Sequence, residues 1–157
     1  MLIEICVCTF RRASLADTLH SLGKQVLPEG TTLRVIVADN DETPSAQDMV
    51  ARVAEDLPFP VHYVHAPSRN ISLARNACLD AATGEFLAFI DDDEIAPPSW
   101  IAELYSLLVE GPYDAVFGPA MAEYPDAAPG WIKRSDYHSN VPTRRHGTVQ
   151  TGHTCNA

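Results

Sequence analysis

Apolar residues along this chain come in short runs that alternate with helical spacings. Residues 2–8 form a run rich in branched side chains, the pattern of a strand. Ser14 follows as a helix N-cap. Leu15, Leu19, Leu22 and Val26 then recur at i, i+4, i+7 and i+11, one face of a helix that ends before Pro28 and Gly30. Residues 33–38 predict a second strand. Thr43 as N-cap and Pro44 as the first helical residue open a second helix, striped by Ala46, Met49, Val50, Val53 and Leu57. Residues 61–65 read as a third, short strand. Over residues 71–82 the small side chains Ala74, Ala77, Cys78, Ala81 and Ala82 predict a helix that can lie close to a sheet, with Gly84 as its stop. Residues 86–90 are apolar throughout, as in a strand covered on both faces. Pro97, Pro98 and Ser99 open a further helix with Ile101, Leu104 and Leu108 on one face, and residues 114–121 predict a fifth strand.

Strand and helix alternate four times. Parallel neighbours need a crossover, so this order predicts an α/β fold: a Rossmann-like, mostly parallel sheet with helices on both faces. Ligands of such sheets lie at the carboxyl ends of the strands. The polar clusters TFRR (9–12), DNDE (39–42) and DDDE (91–94) all fall on that edge. There is no internal repeat, and no linker composition before Tyr124.

At 157 residues and 46% hydrophobic, the chain is long enough for one domain with a real core. Its formal charge of -10 argues against nucleic acid as a partner. The charge is uneven: the segment from Trp131 onward is net basic, and the preceding body is strongly acidic. Cys6, Cys8, Cys78 and Cys155 show no CxxC or zinc-ligand spacing, and no window approaches a membrane span. These features lead to the expectation of a cytosolic protein with reduced thiols, which would work at a membrane either from the surface or through a part of the protein outside these residues.

The clusters each admit two readings. In an extended segment Asp91 and Asp93 project to one side and Asp92 to the other. Such a pair suits Mg2+ or Mn2+, which keep one or two protein carboxylates and complete the octahedron with water and substrate phosphate. Equally, DDDE is an acidic solvated turn. Asp39 either accepts a hydrogen bond from a base or ribose, or belongs to a turn with Asn40 and Asp41. Asn70, Arg75 and Asn76 stand on an otherwise small, apolar helix, where Arg75 faces either a ligand anion or an internal acid. No nucleophile elbow, P-loop or GxGxxG occurs.

In combination, CVCTFRR, the helix ending LGKQ, VIVADND, NISLARN and GEFLAFIDDDEIAP resemble the inverting family 2 glycosyltransferases of the GT-A fold. Within that family, NIS-ARN-CLD, FLAFIDDDE and FGP are similar to bacterial exopolysaccharide glucosyltransferases of the succinoglycan-assembly type, which use UDP-glucose and a lipid-linked acceptor. The resemblance implies an Asp-x-Asp motif at Asp91 and Asp93, with Asp93 on the metal and Asp91 and Asp92 addressing ribose, metal waters or sugar. It implies a uracil-binding acid at Asp39, a base cradle from Thr9 and Phe10, and nucleotide contacts from Arg11, Asn70 and Arg75. Arg11 stands where many relatives have Asn, and Ile71 where many have Gly. Gly152 and His153 look like part of an acceptor segment that the family's catalytic base follows. The resemblance therefore divides the chain into a donor-binding domain over 1–123 and the start of an acceptor half over 124–157. It places the general base after Ala157, with Glu123 and Asp126 as the substitutes nearest to hand. Other readings are a module that binds nucleotide sugar without turnover, and a metal-dependent phosphatase or nucleotidyltransferase. An incomplete acceptor half would also leave apolar surface for self-association.

Overall fold

A computed structural model of the protein describes residues 1–145, 148–152 and 156–157. The first 110 residues alternate as the sequence pattern predicts. The elements are β1 (Leu2–Thr9), α1 (Leu15–Leu22), β2 (Thr32–Asp39), α2 (Gln47–Ala54), β3 (Val61–His65), α3 (Ile71–Ala81), β4 (Phe86–Asp91) and α4 (Trp100–Glu110). A short helix α5 (Gly130–Ser135) and an antiparallel pair, β5 (Thr143–Arg145) and β6 (Thr148–Thr151), follow. The main sheet has the order β3-β2-β1-β4 and is parallel throughout. Its register aligns Thr9 with Asp39, Asp39 with His65, and Cys8 with Asp91. One edge therefore collects the ends of all four strands.

Alternation along β1 and β2 separates two cores. Ile3, Ile5 and Val7, with Leu33, Val35 and Val37, face the layer of α1, α2 and α4. Cys6, Cys8, Ile36 and Ala38 face α3, which presents Ala74 and Cys78. These small α3 residues let the helix lie close to the sheet. The three cysteines are buried and free. Two of the thiols are raised: the bond to Cys78 and desolvation push the Cys8 thiol up, and the bond to Cys6 pushes Cys78 up to about 12.

One polar side chain interrupts this pattern. Glu4, fully buried in β1, accepts from Arg34 of β2 and from the amides of Thr83 and Gly84. Gly84 serves close approach as well as the helix stop, since a Cβ there would come within 2.8 Å of the Leu2 carbonyl.

Several predicted boundaries shift for physical reasons. Ser14 holds the N-cap position of α1, though its side chain makes no capping bond, whereas α2 begins at Gln47 with Ala46, not Thr43, at its N-cap. Asp39 instead accepts from the amide of Ala46 (2.8 Å), just ahead of α2. The first helix stops at Leu22, leaving Val26 exposed beyond it. The predicted strand over 114–121 is absent. Asn156 and Ala157 take the outer edge of β4 instead, running antiparallel with Phe89 and Ile90. The 114–121 segment contributes a bridge between Ala120 and Asn140 and bonds to Asn156 through the Gly118 amide and the Pro119 carbonyl. Gly118–Pro119 breaks its row of donors, because proline has no amide hydrogen to give a ladder.

Candidate functional site

The loops after the strands enclose a cavity of about 630 Å³ at the carboxyl edge, a size typical of small-molecule sites. Its floor is Cys8 and Thr9 from β1, and Asp91 and Asp92 at the end of β4. A smaller groove of about 220 Å³ beside β4 and α4 has almost wholly hydrocarbon walls and brings no polar groups together.

The three aspartates line the same cavity. The chain turns immediately after Asp91, so the strict in-and-out alternation predicted for residues 91–93 does not hold. Thr9 Oγ1 donates to Asp92 Oδ2 at 2.7 Å, a bond buried between two adjacent strands. Arg12 Nη1 lies 2.9 Å from Asp93 Oδ2, and its Nε 3.5 Å from Asp92 Oδ1. Arg75 reaches from α3 to within 3.5 Å of Asp91 Oδ1. Burial raises the carboxyls of Asp91 and Asp92 above the ordinary aspartate range; Arg75 opposes this at Asp91, and Thr9 and Arg12 oppose it at Asp92. Arg75 thus lines the cavity and holds a long ion pair with Asp91, the internal-acid reading of its position.

The β2 end is organised by its own acids. Asp39 is fully buried. Its Oδ1 accepts from the amide of Asp41 (3.0 Å), and its Oδ2 from the amide of Ala46 and the hydroxyl of Tyr63 (both 2.8 Å). Desolvation and that bond push the Tyr63 phenol up. Asp39 therefore shapes the loop and does not line the cavity, where Asn40 stands instead. Asn40 Oδ1 accepts from Ser68 Oγ (2.9 Å) and from the amide of Asn70 (3.0 Å), tying this loop to the start of α3. Asn70 in turn caps α3, its Oδ1 accepting from the amides of Ser72 and Leu73. It too is outside the cavity wall.

The β1 loop divides its two arginines. Arg11 has φ 55°, in the left-handed region, and turns away from the cavity to Asp41, Nε to Oδ2 at 2.7 Å. That bond leads the causes that hold the Asp41 carboxyl down to about 2. The Arg11 guanidinium also lies 5.2 Å from the centroid of Phe10, which lines the cavity. Asparagine is among the residues that tolerate the left-handed backbone found at this position. Arg12, one residue on, enters the cavity.

Gly152 packs against the ring of Phe117, away from this cavity; a Cβ there would meet the ring at 2.6 Å. Glu123 and Asp126 do not line the cavity, and His153 lies outside the described residues. Sequence reasoning missed Arg12, Asn40 and Arg69 as cavity residues. The signal was present for Arg12, half of a charged pair at a strand end.

The parallel sheet with its polar cavity has the GT-A fold of solved glycosyltransferases. A mannosyltransferase from Pyrobaculum calidifontis, determined with GDP-Man and Mn2+, superposes with a TM-score of 0.62 at 26% identity, covering 80% of this chain and 36% of that one. Staphylococcus aureus TarS (residues 1–349) superposes at 0.59 and 23% identity, covering 70% and 33%, which supports the fold alone. Residues 4–156 match the family model Glycosyl transferase family 2, and the chain belongs to that family. It is 48% identical to the succinoglycan biosynthesis protein ExoM of Rhizobium meliloti over 99% of this chain and 50% of that protein. It is 29% identical to the glucosyl-dolichyl phosphate glucuronosyltransferase of Haloferax volcanii over 85% and 41%. The chain thus spans about half the length of these curated relatives.

Proposed function

We propose that the chain is the donor-binding part of an inverting glycosyltransferase that moves a hexose, glucose from UDP-glucose, to a growing polysaccharide or lipid-linked oligosaccharide. The observation that carries this reading is the convergence of Thr9, Phe10, Arg75 and Asp91–Asp93 on one cavity at the sheet's carboxyl edge. The 48% identity to a protein of succinoglycan biosynthesis supports the substrate class. Membership of the glycosyltransferase family leaves no support for a phosphatase or nucleotidyltransferase.

In this reading Phe10 stacks on the base and Thr9 borders it, with Asn40 opposite. Asp91 and Asp92 address ribose and sugar hydroxyls, and Arg75 meets the diphosphate. The donor set fits a divalent cation shared with substrate. Among the described residues no three His, Cys, Asp or Glu groups form a closed metal cage, but Asp91 and Asp93 offer hard oxygens, and a guanidinium already occupies the position beside Asp93. Mn2+ or Mg2+ held there by Asp93, with Asp91 nearby, supplies electrostatic stabilisation of the leaving diphosphate.

The acceptor hydroxyl attacks the anomeric carbon in line, the bond from that carbon to the diphosphate oxygen breaks, and configuration inverts. Its proton goes to a carboxylate base. Among the described residues no acid outside the 91–93 cluster lines the cavity, so this reading assigns the base to none of the cavity's own acids. No described helix is long and apolar enough to cross a membrane. In this reading a lipid-linked acceptor is met at the cytosolic face of a membrane.

Calorimetric titration with UDP, with and without Mn2+, tests this reading. Binding should be metal-dependent, and Asp93→Ala should weaken it by about tenfold or more, ~1.4 kcal/mol. Equal binding by the variant overturns the metal assignment. A sugar-transfer assay on the same preparation separates turnover from binding alone: activity would place the base within these residues.

A further inference from the structure

The side chains lining the cavity carry equal formal charge of each sign: Arg12, Arg69 and Arg75 against Asp91, Asp92 and Asp93. A site balanced in this way has no net attraction for a dianionic diphosphate. A divalent cation added to it leaves an excess that such a diphosphate neutralises. The balance depends most directly on Arg12, whose Nη1 lies 2.9 Å from Asp93 Oδ2 and whose Nε lies 3.5 Å from Asp92 Oδ1. Asp92 has a second donor, Thr9, and keeps it if Arg12 leaves. Among the described residues Asp93 pairs with Arg12, so the carboxylate that would take a cation is the one Arg12 covers.

The Arg12 side chain is 54% exposed and that of Asp93 47%, so the pair sits at the mouth and can part without disturbing the core. A metal ion and a guanidinium cannot both hold that face of Asp93. From these contacts we infer that Arg12 is an exchangeable counter-cation: it holds Asp93 and Asp92 while the cavity is empty, is displaced when a divalent cation arrives, and then turns its planar donors to the diphosphate that comes with it. It is a ligand-binding residue that couples the two binding events. The inference rests on the donor-binding reading above.

The test compares wild type, Arg12→Gln and Arg12→Lys, with Asp93→Asn as a control. Mn2+ alone is titrated into each chain and followed by the loss of the free-ion paramagnetic signal; UDP is then titrated at saturating Mn2+. An exposed ion pair is worth up to about 1 kcal/mol, so Arg12→Gln should bind Mn2+ alone about fivefold more tightly, and UDP about fivefold more weakly, than wild type. Arg12→Lys keeps the charge but cannot bridge two carboxylates, and should fall between them. Arg12→Gln with unchanged or weaker Mn2+ binding overturns the inference, as does unchanged UDP affinity or an absence of Mn2+ binding by wild type and Arg12→Gln alike. If Asp93→Asn abolishes Mn2+-dependent UDP binding while Arg12→Gln behaves as wild type, the exchange fails and the donor site stands. UDP binding that no variant and no metal alters overturns both.

Discussion

Glu4→Ala should separate the stability of this fold from its site. The Glu4 carboxylate lies at the end of the sheet opposite the cavity. Its Oε1 accepts from Arg34 Nε at 2.5 Å and also from Arg34 Nη2; its Oε2 accepts the amides of Thr83 (2.6 Å) and Gly84 (2.5 Å). Burial would raise the Glu4 carboxyl, but the two amides and the guanidinium outweigh it and hold the group below the ordinary glutamate range. Truncation leaves two amides without their acceptor and a guanidinium, 24% exposed, with only Ala81 O and Thr83 Oγ1 as partners. Breaking a buried pair in this way costs ~3–5 kcal/mol. At about 2–4 °C per kcal/mol for a chain of this size, the melting temperature should fall by roughly 10 °C. Thermal unfolding followed by circular dichroism measures it. Glu4→Leu with Arg34→Met removes the unpaired guanidinium and refills the volume, so it should recover part of the loss, the amides of Thr83 and Gly84 still lacking their acceptor. Because the folded carboxyl is depressed, its contribution is complete above the unfolded value of about 4.3 and is lost as pH falls from there through the lower folded value. The difference between wild type and variant should therefore narrow below about pH 4. A melting temperature within about 2 °C of wild type at neutral pH, or a difference that ignores pH, refutes the reasoning. UDP affinity of the folded variant should be unchanged.

Arg11→Asn should fold, because asparagine tolerates the left-handed backbone at position 11, while the Asp41 titration moves up from about 2. The Asp41 carboxyl is depressed, so the stability that Arg11 gives through it is present at neutral pH and lost as pH falls toward that value; carboxyl-carbon NMR reads the titration, and an unmoved Asp41 refutes the assignment. Asp39→Asn places an amide where three donors converge, at a cost of ~1–3 kcal/mol, and should lower the melting temperature by roughly 5 °C while UDP affinity stays within about twofold. An unchanged melting temperature with a large loss of UDP affinity would instead make Asp39 a direct ligand contact.

The sheet and its helices were legible because they rest on periodicity. Branched runs at 2–8 and 33–38 and the small-residue helix over 71–82 specify which faces can be buried. The α/β alternation then sends TFRR, DNDE and DDDE to one edge whatever their detailed conformation. An acid inside the run LIEICVCT was a visible anomaly whose partner, Arg34, could be found only once the strands were paired. What the sequence by itself determined was which residues reach the carboxyl edge. Tertiary structure decided which way each one points. A left-handed residue at Arg11 sends that arginine to Asp41 and its neighbour Arg12 into the cavity. Saturation by buried donors turns Asp39 inward, the free amides of a helix start claim Asn70, and Asn156–Ala157 takes the β4 edge that residues 114–121 were predicted to fill. Each outcome depends on a donor, acceptor or strand edge supplied by a distant segment, and local pattern carries no record of such partners.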